Sequence, residues 1–555
     1  MSERPKAVWP DGVPRHLDLP ERNVWENLAE AAARTPDGVA LIYHGAEISY
    51  GALHRRVLDL AGWLEQVAGV GQGDRVLLYM QNSPQFVIGF YAILRANAVV
   101  VPVNPMNRHK ELAHLVQDTG ARVALAGQEL LDHIVPHMGA GGLSHILVAA
   151  YADMAQPGYD IPLPSGLEAP GRDDYGISGV SGWGAMERQA RAPGPVTAGP
   201  DDLAVIPYTS GTTGRQKGCM HSHRTMMTTI VGGVLWNPQG ISGATLCVLP
   251  LFHVTGMQNS MNGPIYCGDP IVLMSRWDRR VAARLIKRYG ITRWRSISTM
   301  MIDLLNDPEL KSDDLASLRT LGGGGASMPA PVAARLKELT GLDYIEGYGM
   351  SETMAGALIN PVDHPRRQCL GVPVFDVDAR IIDEEGHELG PGQPGEIILA
   401  APQVFLGYWN APEATEAAFV MRDGKRFLRT GDVGQYDADG YFYIVDRVKR
   451  MINASGFKVW PTEVEALMYD HPQVADVCIV GCPDPRRGET VLAWVVARGP
   501  LTEAALIAWC RDQMAAYKVP RRVVFVEDLP RSASGKVQWL DLQHRAARDH
   551  TTGVD

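Results

Sequence analysis

Between residues 24 and 103 the apolar positions switch repeatedly between a spacing of three to four and runs of four or five. The pattern predicts helices over 24–34, 50–67 and 84–96, and strands over 39–43, 76–79 and 99–103. Strand and helix in alternation point to a mostly parallel sheet. From about 150 to 198 the texture turns to Gly, Pro and Asp with weak periodicity, which predicts an excursion loop, partly mobile. Alternation then resumes, with strands expected at 203–208, 244–249, 270–274, 292–298 and 318–321. Helices are expected at about 219–236, 277–289 and 300–306. From Gly371 to about Val445 short apolar runs are cut by the turn segments 383–386, 390–395 and 437–440, an all-β texture. Past Arg447 a smaller α+β unit is expected, with helices at 461–469 and 503–514 and strands at 474–480 and 491–496.

Bulk properties narrow the class. A chain of 555 residues exceeds one ordinary core, so two or more domains are expected. A net charge of −10 without a basic block gives no sign of a nucleic-acid partner. No apolar run reaches the ~18 residues of a spanning helix, and the first residues lack the apolar core of a secretory signal. A cytoplasmic location is therefore expected. Seven dispersed cysteines fit free thiols, with the close pair Cys478 and Cys482 read as buried rather than as half of a zinc site. His221 and His223 are read as structural or phosphate-adjacent rather than as a metal pair.

The densest chemistry lies in Tyr208-Thr-Ser-Gly-Thr-Thr-Gly-Arg-Gln-Lys-Gly218, which follows an apolar run and precedes a helical pattern. Free backbone N–H groups and a helix N-terminus in such a setting can hold phosphate. Gly211, Gly214 and Gly218 allow close approach, Thr209, Ser210, Thr212 and Thr213 add hydroxyls, and Lys217 adds charge. It is not a Walker A loop, because position 216 is Gln where that pattern needs Gly-Lys-Ser/Thr.

This stretch resembles the phosphate loop of the adenylate-forming superfamily of acyl-CoA synthetases, non-ribosomal adenylation domains and luciferases. Four further blocks follow in family order. Tyr348-Gly-Met-Ser-Glu-Thr353 resembles its Tyr-Gly-x-Thr-Glu signature, and Arg429-Thr-Gly-Asp432 its Thr-Gly-Asp. The block 446–456 resembles the inter-domain hinge, and Pro530-Arg-Ser-Ala-Ser-Gly-Lys536 the C-terminal lysine motif. The resemblance covers nearly the whole chain. It implies an α/β fold with a large N-terminal domain (1–447) of two βα-layered subdomains and a β-rich, distorted-barrel subdomain, followed by a small mobile α+β domain (448–555). The implied activity is that of an AMP-forming acyl-CoA synthetase. A carboxylic acid and ATP give acyl-adenylate and pyrophosphate, then coenzyme A gives acyl-CoA and AMP.

Each block answers a physical need. Two unit charges ~4 Å apart repel by about 4 kcal/mol at an effective dielectric of ~20, and a carboxylate must meet a polyanion here. The resemblance implies that Glu352 holds Mg²⁺ among the phosphates and that Lys536 bridges carboxylate and α-phosphate. Tyr348, with Gly347, Gly349 and Ser351, and the segment Gly325, Ala326 and Ser327 would enclose adenine; Asp432 would accept from the ribose hydroxyls, and Arg447 would add a ribose or phosphate contact. Lys449 stands at the hinge, followed by Arg450 where the family commonly has Asp. Ser455, Gly456, Phe457 and Lys458 resemble the strand lining the pantetheine tunnel.

The implied acid pocket is lined by Trp236, His253, Val254, Met257, Gly323, Gly324 and Met350, with His253 closing it near the carboxylate. Apolar, methionine-rich walls favour an aliphatic or adaptable aromatic acid. The wording of residues 446–461 looks most like fatty acyl-CoA synthetases, so a medium- or long-chain fatty acid leads. Short, thioether and aryl (hydroxycinnamate-like) acids stay open, as do a ligase loading a carrier protein, a non-catalytic nucleotide-binding protein and a homodimeric state.

Overall fold

Short apolar runs, several of them followed by a helix, build two layered sheets. The computed structural model describes residues 8–551 apart from 190, 210–215, 238–242, 326–327, 448–449, 455–456, 485–487 and 533–535; of 446–447, 453, 457–458, 488 and 549–551 only the backbone path is described. Side-chain caps start the helices where the sequence places a short polar residue, as at Ser49, Ser83, Ser222, Asp278 and Thr502. Left-handed glycines stop them at Gly120, Gly290 and Gly341.

Contacts divide the chain into two compact units, one of residues 8–378 with 400–426, the other of 379–399 with 427–551. The larger unit holds both layered sheets. One runs Gly407–Tyr408, Lys217–Ser222, Leu203–Val205, Val99–Pro102, Arg75–Tyr79, Val123–Gly127, His145–Ala149, Val180–Gly182. It is parallel from Leu203–Val205 onward and antiparallel at the Lys217–Ser222 end. The other is parallel from Tyr344–Met350 through Thr320–Gly324, Arg293–Ser296, Thr245–Cys247 and Ile271–Leu273 to Val39–Tyr43, with antiparallel edges. Helix Pro84–Arg95 is buried on every face, as its apolar sequence requires.

In the smaller unit the long hairpin Val474–Asp484 with Gly488–Ala497 carries Arg522–Phe525 in parallel and Ile452–Ala454 at its other edge. Helices Pro461–Tyr469, Glu503–Gln513 and Trp539–Thr551 accompany it. The strands Gly395–Ala400, Lys425–Tyr436 and Phe442–Arg447 pair in antiparallel fashion, as the β-rich texture predicts. Among the described residues no helix is long and apolar enough to cross a membrane. All seven cysteines are unbridged, and Cys478 and Cys482 are buried.

Three local expectations change. Residues 217–222 form a strand, not the start of the helix, which begins at His223. Antiparallel partners on both sides (Lys217↔Thr209, His221↔Val205, Cys219↔Tyr408) override the helical spacing of its side chains. Residues 150–198 are not all loop. Val180–Gly182 extends the sheet beside His145–Ala149, and Trp183 and Met186 of the next helix are buried. The glycines 322–324 continue the strand Thr320–Gly324 rather than following it.

Arg450, the departure from the family pattern beside the expected hinge, is engaged within the smaller unit. Its guanidinium pairs with Glu465 and donates to the Ile479 carbonyl, while Glu465 accepts from the Ile479 N–H. Both side chains are mostly buried. Removing one partner strands the other charge, so Glu465→Ala is expected to cost the smaller unit about 3 kcal/mol in urea denaturation. A loss under about 0.5 kcal/mol would mean that water screens the pair.

Candidate active site

The strand Lys217–Ser222 is where the larger unit gathers its charged groups. It closes a hairpin with Tyr208–Thr209, and Gly218 is needed there: a Cβ would stand 2.5 Å from Ile206 Cγ2 and 3.0 Å from the Tyr208 ring. Tyr208 anchors the hairpin by donating to Asp118 at 2.5 Å. His114 Nε2 donates to the Gln216 carbonyl at 3.0 Å, fixing the end of the loop. Residues 210–214, expected to hold phosphate, lie outside the described residues. The helix that follows begins at His223, with Ser222 accepting from Thr225 N–H. The strand Lys217–Ser222 therefore stands between the glycine-rich residues and the helix N-terminus, where the sequence predicts the helix to follow directly.

Along its other edge this strand pairs with Gly407–Tyr408. Tyr408 then reaches two expected site residues at once. Its hydroxyl donates to Glu352 Oε1 at 2.7 Å, and the Lys217 ammonium stands 5.0 Å from its ring centroid. Burial, and then the Glu352 carboxylate, push the Tyr408 phenol well up, so it stays a donor. Glu352 sits in the short turn Ser351–Thr353, buried. Just beyond it Met354 and Ala355 hold φ of 46° and 86°, the left-handed region that side chains avoid. Thr353 Oγ1 pins that turn to Ala355 O at 2.7 Å. Gly349 admits it, since a Cβ there would meet Ala355 O at 1.7 Å.

His221 ties the hairpin to the same turn. Its Nε2 lies 2.7 Å from the Ser351 carbonyl, which can only accept, so Nε2 carries the proton. His223 faces elsewhere and accepts from Val24 N–H through Nδ1 at 3.1 Å. The two histidines are thus wired separately.

Tyr348 and Gly347 lie on the strand beside the glycine run, with Gly324 opposite Gly347. Gly325 turns the chain with φ 89° at the strand end; Ala326 and Ser327 lie outside the described residues. His253 caps a short helix, its Nδ1 accepting from Thr255 N–H at 3.4 Å. A small cavity of about 20 Å³ lies beside Ala355 and Gly356, walled by helix His223–Leu235 at Thr229, Gly232 and Gly233, by Gln258, Asn259 and Gln403, and by the apolar Leu17, Ile359, Val374 and Phe375. None of the seven residues expected to line an acid pocket stands in its wall. The helix turns Gly232 and Gly233 to it, while Trp236 points away, donates to Asn360 O and packs edge-on against Trp9 and Phe375. Val254 and Met257 are core residues, and the π-helical turn Met257–Asn262 rotates Gln258 and Asn259 to the cavity instead.

The smaller unit carries its own set. Asp432, buried, lies opposite Arg447 on paired strands. Thr430 Oγ1 accepts from Asp432 N–H, and Gly431 (φ 70°) donates to Glu396 Oε1, whose other oxygen pairs with Arg429. Lys536 is exposed, and it is tied to Ser532 by Lys536 N–H to Ser532 Oγ at 3.2 Å and Ser532 N–H to Lys536 O at 2.8 Å. Lys449, Ser455 and Gly456 lie outside the described residues, and of Arg447, Phe457 and Lys458 only the strand backbone is described.

Tyr408, Asp118, Glu396 and Gln403 went unread in the sequence. Tyr408 stands in Gly407-Tyr-Trp409 and Glu396 follows the turn at 390–395, but neither position carries a composition signal. They are visible only once strands distant in sequence pair.

Burial holds both His221 and His223 down to a pKa of about 4, against an ordinary value near 6.5. The unfolded chain binds protons between those values that the fold does not, so ΔG of unfolding rises with pH in that window. Their contribution is complete above about pH 6.5 and drains as pH falls toward 4, by up to about 3 kcal/mol each. Urea midpoints measured from pH 7 to 4.5 should fall steeply, and His221→Gln should flatten the slope. A midpoint independent of pH above 5 would contradict the buried neutral state.

With this geometry in place, comparison with known proteins is direct. A family model described as AMP-binding enzyme matches residues 28–409, and one described as AMP-binding enzyme C-terminal domain matches 463–536. A long-chain-fatty-acid–CoA ligase of Bacillus subtilis (strain 168) is 33% identical, over 99% of both chains. A feruloyl-CoA synthase of an Amycolatopsis species is 34% identical over 93% of this chain and 97% of its own. The crystal structure of ATP-bound MatB from Rhodopseudomonas palustris superposes with a TM-score of 0.82 at 29% identity, covering 94% of this chain and 99% of that one. The chain belongs to the AMP-binding enzyme family, in the acyl-CoA ligase branch of the adenylate-forming superfamily, whose members use ATP and coenzyme A.

Proposed function

We propose that this ligase activates a medium- or long-chain fatty acid, in line with the fatty-acid ligases 32–33% identical over almost the entire chain. The observation that carries the site assignment is the Lys217–Tyr408–Glu352 arrangement, one cation and one carboxylate held by one phenol. Lys217 draws ATP phosphate to the hairpin. Glu352 has one oxygen bound to Tyr408, and its carboxylate is the hard donor that magnesium takes, so the residues fit that ion. Magnesium bound there would neutralise phosphate charge. Tyr348 and the strand-end glycines take adenine, and Asp432 takes the ribose diol. A second reading, an aryl acid of the hydroxycinnamate kind, is favoured by the feruloyl-CoA synthase relative.

Residues 448–555 act as the mobile domain. Lys536, which is exposed, brings its ammonium to the carboxylate and α-phosphate during adenylation, and rotation about Lys449 then presents the 455–458 segment to pantetheine.

Two outcomes follow. Lys536→Ala should lower acid-dependent pyrophosphate exchange on the order of 10²–10³-fold while sparing thioester formation from supplied acyl-adenylate. Equal loss in both half-reactions would refute the division of labour. Tyr408→Phe keeps the ring beneath Lys217 but frees Glu352; it should raise the apparent KM for MgATP about tenfold and weaken MgATP binding by calorimetry to match, with the KM for the acid unchanged. A fall in kcat alone, without a change in MgATP binding, would show that Tyr408 does not position Glu352.

A further inference from the structure

Lys217 and Tyr408 lie on different strands, yet one helix, His109–Thr119, holds the chain next to each of them. Leu112, Leu115, Val116 and Thr119 are buried at the three- and four-residue spacing that seats a helix in a core. Tyr208 and Trp409 pack against the same apolar cluster. His114 and Asp118 stand four residues apart, so they share a second face of the helix. The His114 ring donates from Nε2 to the carbonyl of Gln216, the residue before Lys217. Its Nδ1 is buried without a partner, so this is the ring's one hydrogen bond among the described residues. Asp118 Oδ2 accepts from the Tyr208 hydroxyl, and Tyr208 is the strand partner of Gly218. Burial, and then that carboxylate, push the Tyr208 phenol well up, so it remains a donor. A carboxylate in the last turn faces the negative end of its own helix, an unfavourable position that the Tyr208 bond offsets.

The backbone of the same turn grips the other strand. Asp118 O is one of the carbonyls that a helix end leaves without an internal partner. It accepts from Trp409 Nε1 at 2.9 Å and from Asn410 Nδ2 at 2.8 Å, the two residues that follow Tyr408. Thr119 O accepts from Arg75 Nε at 2.8 Å, and the Arg75 guanidinium stands 5.4 Å from the Trp409 ring centroid. Asn410 holds φ 51°, a left-handed conformation that its bond to Asp118 O helps to keep. Trp409 N–H donates to Gly218 O at 2.8 Å, which closes the circuit back to the strand of Lys217.

We propose that the helix His109–Thr119 is the strut that sets Lys217 in place for nucleotide phosphate, with His114 and Asp118 as positioning residues that act through Gln216 and Tyr208. This rests on the reading of Lys217 as a phosphate-binding group. A lysine side chain is long and flexible, so the strand that carries it must be fixed before its charge can favour one phosphate position. The helix supplies that fixity from outside the site, at the residue before Lys217 and at the strand partner of the residue after it.

MgATP binding to the full chain, measured by titration calorimetry, tests it without any acid present. His114→Leu and Asp118→Ala should each weaken binding about tenfold, the size of one lost hydrogen bond to a charged or fixed partner. His114→Gln keeps a donor at Nε2 and Asp118→Asn keeps an acceptor at Oδ1, so both should bind close to the wild type. In a Lys217→Met background, His114→Leu and Asp118→Ala should cost nothing further, because the group they position is gone. If Asp118→Ala fails to fold, His114→Leu carries the comparison alone. Losses that multiply in full with Lys217→Met, or a His114→Gln as weak as His114→Leu, would make the helix a general scaffold and overturn the proposal. Lys217→Met by itself separates the two ways of failing. Binding that needs Lys217 but is indifferent to His114→Leu and Asp118→Ala overturns the strut alone. Binding indifferent to Lys217→Met removes the phosphate reading, and the inference with it.

Discussion

The hydrogen bond from Tyr408 to Glu352 joins three segments that the chain delivers from far apart: the hairpin strand at 217–222, the turn at 351–353 and the edge strand at 407–408. Adenylation sets a carboxylate against a polyanion, and that repulsion yields only where cations and hydrogen-bond donors are already fixed in place. A flexible lysine beside a flexible glutamate would collapse into an ion pair. Here the phenol sits between them, its ring under the ammonium and its hydroxyl on the carboxylate. Both charges are thus oriented without neutralising each other. The groups that surround this bond are arranged to keep it rigid.

That rigidity has visible sources. The His221 ring bridges the hairpin to the Ser351 carbonyl and stays neutral because it is buried. Met354 and Ala355 keep a backbone conformation that side chains disfavour, with Thr353 and Gly349 making it tenable. Such strain is tolerated only where the surroundings over-determine it. On the helix after the hairpin, Gly232 and Gly233 do the opposite job, clearing space next to the strained turn for a cavity. In the smaller unit Glu396 plays the bracing part, holding the Thr430–Asp432 turn from the neighbouring strand.

Most of the architecture was legible because its code is local. Serine and aspartate caps, terminal glycines and runs of Val and Ile place helices such as Pro461–Tyr469 and strands such as Val39–Tyr43 where the sequence predicts them. The expected site residues Lys217 and Glu352 do meet through a common partner. What failed depended on tertiary pairing. Cys219-Met-His-Ser222 continues a helical spacing, and only its two strand neighbours make it β. Val180–Gly182 is too short to announce itself without the sheet edge it joins. A π-helical turn likewise shifts the face that periodicity assigns, so Met257 packs in the core while Gln258 and Asn259 face the small cavity beside Gly356. Tyr408 carries no signal of its own, since its role exists only across a strand pair.

The most direct measurement is acid-dependent pyrophosphate exchange by Glu352→Gln, titrated with MgATP. The substitution keeps an oxygen for the Tyr408 hydroxyl and the shape of the turn, and removes only the charge. If a carboxylate fixed by Tyr408 opposite Lys217 is what organises the nucleotide, exchange should fall by about 10²-fold or more with a weakened response to MgATP, while thermal unfolding stays near that of the wild type. Exchange and MgATP dependence equal to the wild type would contradict the account at its centre.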